Sequence, residues 1–146
     1  MKANKKTEKE VMAALIKGHE AYARRDIDGL LAAFVPDADV IMIGTGADER
    51  RVGLAEIRAQ AERDWAQTEA SALEFGWRSV SMAGPVACVA AEATFRVKAG
   101  GQEMTIPARM TATLEKRGEK WLILQAHYSI PWAEQAEGES FPPYQG

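Results

Sequence analysis

The sequence predicts an α+β fold. Helical spacing of apolar residues is confined to the first half of the chain. From Leu73 onward the pattern changes to long strands. Those strands are separated by short turns, Ala83-Gly84-Pro85, Gly100-Gly101 and Arg117-Gly118. Helices followed by a run of hairpins is the α+β arrangement. Short turns between successive strands imply an antiparallel meander, because parallel neighbours need longer crossovers.

The first helix is expected to start at Thr7, with Glu10 completing a capping box. Met12, Leu15, Ile16, His19, Tyr22 and Ala23 follow at helical spacing. Gly18 lies inside this helix at a cost of about 1 kcal/mol against alanine, so it marks either close packing or room for a ligand. Asp26 caps a short second helix whose apolar side is Ile27, Leu30, Leu31 and Phe34, and Pro36 stops it. Val40 to Ile43 reads as a strand, Gly44 to Glu49 as a loop, and Arg51 to Gly53 as a further short strand. Leu54 to Gln67 is a third helix with Leu54, Ile57, Ala61 and Trp65 on one side. Strands are then expected around Leu73 to Met82, over Val86 to Lys98, over Glu103 to Glu115 and over Lys120 to Ile130. Residues 1–6 read as a flexible N-terminus, 7–132 as one domain, and 133–146 as an acidic tail ending in Phe141-Pro142-Pro143-Tyr144 and two further residues.

Composition narrows the function classes. A chain of 146 residues with 47% hydrophobic and 27% charged residues is a globular domain. At this length about 70% of the unfolded surface can be buried, so folding requires no disulfide or metal. The net charge of −3 gives no electrostatic support to nucleic-acid binding. The single cysteine, Cys88, excludes an intramolecular disulfide and a thiol cluster for zinc. No apolar run approaches the roughly 18 residues of a membrane span, and the lysine-rich start lacks the apolar core of a signal peptide. The expectation is a cytoplasmic protein with no membrane or nucleic-acid partner, no cofactor and no metal; His19 and His127 are too few for a recognisable ligand set. The loop Gly44-Thr45-Gly46-Ala47-Asp48-Glu49 lacks the spacing and lysine of a phosphate loop. Asp48-Glu49-Arg50-Arg51 is either a solvated charge run or the rim of a pocket.

The order of these elements resembles the nuclear transport factor 2-like superfamily, in its SnoaL-like and ketosteroid isomerase-like branch. One block carrying the likeness runs from Tyr22-Ala23-Arg24-Arg25-Asp26-Ile27-Asp28-Gly29-Leu30-Leu31 through Phe34 and Pro36-Asp37-Ala38 to Val40-Ile41. The other is Gly118-Glu119-Lys120-Trp121-Leu122-Ile123 with His127-Tyr128-Ser129. The second block is also similar to the end of the calcium/calmodulin-dependent kinase II association domain. The resemblance covers residues 8 to 132. It implies a cone-shaped fold, with N-terminal helices on a strongly curved, mostly antiparallel sheet of five to six strands. It also implies a pocket between the concave face and the helices, and a homodimer through the outer face. The strands fit two covered faces: Val89, Ala91, Ala93, Phe95 and Val97 alternate with Cys88, Ala90, Glu92, Thr94 and Arg96. Likewise Leu122, Leu124, Ala126 and Tyr128 alternate with Trp121, Ile123, Gln125, His127 and Ser129.

The superfamily holds isomerases, dehydratases, cyclases and non-catalytic modules, so the fold does not decide the activity. Aligned through Asp-Ile-Asp-Gly, the isomerase tyrosine falls on Gly18, its base on Met42 and its protonated acid near Arg109. Steroid isomerisation by that arrangement is therefore not expected. The leading expectation is binding, and turnover by a cofactor-independent lyase or isomerase, of a small molecule bearing an anionic or carbonyl group. The alternative is a non-catalytic association module. Arg109 shares a strand face with Thr111 and Thr113. If that face lines the cavity, its guanidinium pairs with an anionic ligand; otherwise it is exposed or bridges to Glu92 or Asp64. The candidate bases are His127, Glu92 and Asp64. His127 shares a face with Ser129 and is otherwise a structural histidine. Tyr22 and Trp65 would project from the helices toward the cavity as ligand contacts or as core, and Tyr128 faces the cavity only if His127 points away from it.

Overall fold

The computed structural model describes residues 1–142. Helix α1 spans Lys5–Ala23, α2 Ile27–Leu31 and α3 Leu54–Gln67. Strands are β1 (Ile41–Ile43), β2 (Arg50–Val52), β3 (Ala70–Ala83), β4 (Val86–Ala99), β5 (Gln102–Arg117) and β6 (Lys120–Ser129). They form one six-stranded sheet in the order β2-β1-β6-β5-β4-β3. All pairings are antiparallel except β1 with β6, which is parallel. The chain is thus α+β with its helices on one face of a mixed, open sheet.

Helix α1 begins before the expected cap. Asn4 Oδ1 accepts the Thr7 amide at 2.8 Å and starts the helix at Lys5. Val11, Met12, Leu15, Gly18 and Ala21 form its buried stripe. At its end Arg25 takes a positive φ of 60°, and its guanidinium donates to the Trp65 and Thr68 carbonyls at 2.7 Å each. The exposed carbonyl end of α3 is therefore capped by the corner between α1 and α2. Asp26 caps α2 through the Gly29 amide at 3.0 Å. Phe34, expected on α2, instead follows it in a bridge to Ile123. At the N-terminal end, the buried Ala3 donates to the Val80 carbonyl at 2.9 Å and extends the β3 edge.

Two irregularities reshape the sheet. In β3 the register shifts between Phe75 and Arg78, so Gly76 and Trp77 both lie opposite Glu92. In β6 Leu124 is extra, since Thr113 pairs with Gln125 but Leu114 with Ile123. Bulges bend strands and raise their twist. The second one also resets the alternation of β6. Trp121 and Ile123 before it, and Ala126 after it, are all buried, which corrects the even alternation expected over Lys120–Ser129.

The core lies between the helices and the inner sheet face, with Val11, Leu15, Val35, Val40, Val80, Met110 and Leu114 fully buried. Gly18 belongs to this packing. A β-carbon there would come within 2.9 Å of the Ala33 Cβ. Gly18→Ala gains about 1 kcal/mol of helix propensity but forces α1 away from the Ala33 methyl at a cost of about 1–3 kcal/mol. The expected result is a net loss of about 1 kcal/mol, read by chemical denaturation. No helix among the described residues is long and apolar enough to cross a membrane.

Candidate functional site

A cavity of about 250 Å³ opens within the helix-covered face. Its walls are mostly apolar, drawn from Leu30, Phe34, Met42, Ile57, Leu73, Phe95, Val97, Ile106 and Ile123. Gly18 and Met42, the positions matching the isomerase tyrosine and base, both line it and bring no proton-transfer group. The polar lining comes from His19 and Tyr22 on α1, Gln60 and Asp64 on α3, Tyr128 on β6, and Glu49 with Thr45 in the β1–β2 loop. The loop thus forms part of the rim through Glu49, while Asp48 is exposed and paired with Arg63 at 2.7 Å.

Two hydrogen-bonded pairs stand out. His19 Nδ1 lies 2.7 Å from the Leu15 carbonyl and Nε2 2.8 Å from the Tyr128 hydroxyl. A carbonyl only accepts, so Nδ1 carries the proton. Burial pushes the His19 pKa below the usual histidine range, against a smaller opposing effect of the Leu15 carbonyl. The ring is therefore neutral, Nε2 is an acceptor, and Tyr128 donates to it. Phe75 stands edge-on to the imidazole at 5.1 Å. Burial raises the Tyr128 phenol well above its ordinary pKa, keeping it protonated.

The second pair is Tyr22 and Asp64, whose Oδ2 accepts the phenol at 2.8 Å. Burial is the main cause raising the Tyr22 pKa, with the Asp64 charge adding to it. Asp64 Oδ1 accepts from Gln60 Nε2 at 2.7 Å. Gln60 is itself 3% exposed and is a hub. The same Nε2 donates to Glu49 Oε1 at 3.2 Å, and Gln60 Oε1 accepts from Arg51 Nε at 2.8 Å. The buried Ser71 hydroxyl lies beside Tyr22 and has no hydrogen-bond partner meeting ordinary geometry.

Of the residues singled out in the sequence, Asp64, Tyr22 and Tyr128 line the cavity together. Trp65 packs on Tyr22 with ring centres 5.8 Å apart and donates to the Tyr22 carbonyl at 3.1 Å, behind the cavity wall. His127, Glu92, Arg109 and Ser129 lie on the opposite face. The face of β5 turned to the helices is Ala108, Met110, Ala112 and Leu114, all buried. Arg109, Thr111 and Thr113 therefore point outward, and the expectation that the threonine face lines the cavity is corrected. Glu92 and Arg109 are register partners, yet no ion pair joins them, nor can Arg109 reach Asp64 through the sheet. His127 instead borders a shallow outer depression of about 360 Å³ with Ser79, Ser81, Cys88, Ala90, Thr111, Thr113 and Gln125.

Sequence reasoning missed Gln60, weighed Glu49 only as part of a solvated charge run or pocket rim, and weighed His19 only as a metal ligand. Helical spacing carried the signal: His19 and Tyr22 are three apart, and Gln60 and Asp64 four apart, each pair on one helix face. Among the described residues no group of three metal-ligating side chains occurs.

A family profile described as a SnoaL-like domain matches residues 11–133. No curated protein matches the sequence. Among solved structures, a Streptomyces avermitilis protein provisionally named a dehydratase of the nuclear transport factor 2-like family is 20% identical. It superposes with a TM-score of 0.80 over 89% of this chain and 100% of its own. A Xanthomonas campestris protein provisionally named a calcium/calmodulin-dependent protein kinase II association domain is 24% identical, with a TM-score of 0.75 over 89% and 94%. A Novosphingobium aromaticivorans protein provisionally named a scytalone dehydratase is 9% identical, with a TM-score of 0.77 over 96% and 95%. At these identities the likeness is one of fold.

Proposed function

The chain belongs to the SnoaL-like domain family, and from that premise we propose that its inner cavity binds a small organic molecule and turns it over by proton transfer. One observation carries this reading: two hydrogen-bonded acid–base pairs, His19–Tyr128 and Tyr22–Asp64, converge on a largely apolar cavity. Apolar walls with a few convergent polar groups suit a small ligand. Each pair forms a relay. As Tyr128 takes a proton from the ligand, its own proton passes to His19 Nε2; Tyr22 and Asp64 act likewise. In this reading His19 takes the base role expected of His127 and Glu92, and Asp64 is proposed as the second base.

Among the described residues no lysine or arginine lines the cavity, so the anionic ligand expected from Arg109 has no cation to meet it. A thermal-shift panel of carboxylates, phosphates and neutral ring compounds tests this. The expected result is a rise with neutral rings only, unchanged in Arg109→Leu. A ligand at a hundred times its dissociation constant adds about 2.7 kcal/mol, a rise of roughly 5–10 °C for a chain of this size. A rise with anions that disappears in Arg109→Leu would overturn the reading.

The outer face supports a homodimer as a second role. Its rows of Ser79, Ala90 and Thr111, and of Ser81, Cys88 and Thr113, are small and uncharged, and no other element among the described residues covers them. Sedimentation is expected to give twice the 16.0 kDa chain mass, and Thr111→Arg to give the single chain by placing an unpaired charge in the contact. A wild-type monomer would remove this role and leave the cavity reading standing.

A further inference from the structure

Resting on the cavity reading above, the hydrogen inventory of the site specifies its ligand further. A phenol has one proton to give. Tyr128 gives its proton to His19 Nε2, because the Leu15 carbonyl holds the imidazole proton on Nδ1. Tyr22 gives its proton to Asp64 Oδ2. Asp64 cannot turn away to release it, since Gln60 Nε2 holds the other carboxylate oxygen at 2.7 Å. Both tyrosines therefore spend their protons on neighbouring side chains of the lining, and their oxygen lone pairs are what they offer a ligand. Ser71, beside Tyr22, has one proton to place, which at most occupies one lone pair of Tyr22. With both phenols acting as acceptors and no cation in the lining, the site is matched to a ligand that brings donors of its own.

We infer that the cavity selects a neutral ring compound carrying two hydroxyl groups, one donating to Tyr22 and one to Tyr128. A carbonyl-only ligand of the same size leaves both phenol oxygens without a proton to accept, and a buried acceptor left unmatched is costly. Selection therefore runs opposite to an oxyanion site, in which protein donors meet a ligand acceptor.

Three probes separate the possibilities: resorcinol, with two donors; acetophenone, with an acceptor only; and benzoate, an anion. Each is titrated into the full chain and followed by the amide signals of Tyr22, Leu73 and Tyr128. Resorcinol is expected to bind at least tenfold more tightly than either of the others. His19→Leu frees the Tyr128 proton to point into the cavity, so the resorcinol-to-acetophenone preference is expected to fall at least threefold. A melting curve confirms that this variant is folded. In Asp64→Leu the same change frees the Tyr22 proton and is expected to act in the same direction, which keeps the test open if His19→Leu does not fold. Acetophenone or benzoate binding as tightly as resorcinol at these signals would overturn the donor inference while leaving the cavity reading intact. So would a preference unchanged in a folded variant. If none of the three probes moves the signals, the cavity reading falls with it.

Discussion

Replacing Gln60 by leucine is expected to lower stability by about 2–3 kcal/mol, although leucine matches the volume and the helix propensity of the site. Gln60 is almost fully buried, and its one amide satisfies three charged side chains. It donates to Asp64 and Glu49 and accepts from Arg51. A hydrogen bond itself contributes about 1 kcal/mol, but a buried partner left unmatched costs about 1–3 kcal/mol, more when charged. Glu49 keeps Arg63 and the Gly46 amide, and cavity water can reach Asp64, which keeps the loss below a full sum of penalties. The midpoint of thermal unfolding should fall by roughly 6–12 °C. Gln60→Glu should be worse than leucine, because it sets a third carboxylate against Asp64 and Glu49. A leucine variant as stable as the wild type would mean that the carboxylates do not depend on this amide, and the fixed orientation of Asp64 would lose its support.

That network also shows what the sequence made legible. The helix over 54–67, the capping of α2 by Asp26 and the four long hairpin strands follow from spacing, caps and glycine turns, and the structure places them within a few residues of expectation. The site followed less well. Parity along a strand states which residues share a face, but not which face meets the helices. Arg109, Thr111 and Thr113 shared a face with the most chemistry, and so drew attention to the wrong side of β5. The deciding fact was packing: the face able to take helices is the one with Ala108, Met110, Ala112 and Leu114. The Leu124 bulge hid the answer for β6, because an extra residue is invisible to a period of two. The cavity takes most of its polar groups from the helices and from the β1–β2 loop, where pairs three and four apart were present in the sequence but had no partner strand to identify them.

The largest expected effect of pH arises from His19. Its pKa in the fold is depressed, chiefly by burial, whereas in the unfolded chain it is near 6.5. Below pH 6.5 the unfolded state binds a proton that the folded state refuses, so stability present above that pH is lost as the pH falls toward the folded value. One proton sets a ceiling of about 1.4 kcal/mol per pH unit, or about 2 kcal/mol from pH 6.5 to 5. Denaturant titrations at pH 7.5, 6 and 5 should show this decline in the wild type. It should be absent in His19→Gln, whose amide can donate to the Leu15 carbonyl and accept from Tyr128 without titrating. Asp37 and Asp48, held below the usual carboxylate range by Arg117 and Arg63, lose their contribution only below about pH 4, outside this window. His127 is present in both proteins and cancels in the difference. Equal declines in the two proteins would show that His19 takes up its proton as readily in the fold as outside it. In that case, below about pH 6.5, Nε2 would be a donor rather than an acceptor, and Tyr128 would have its proton free for a ligand.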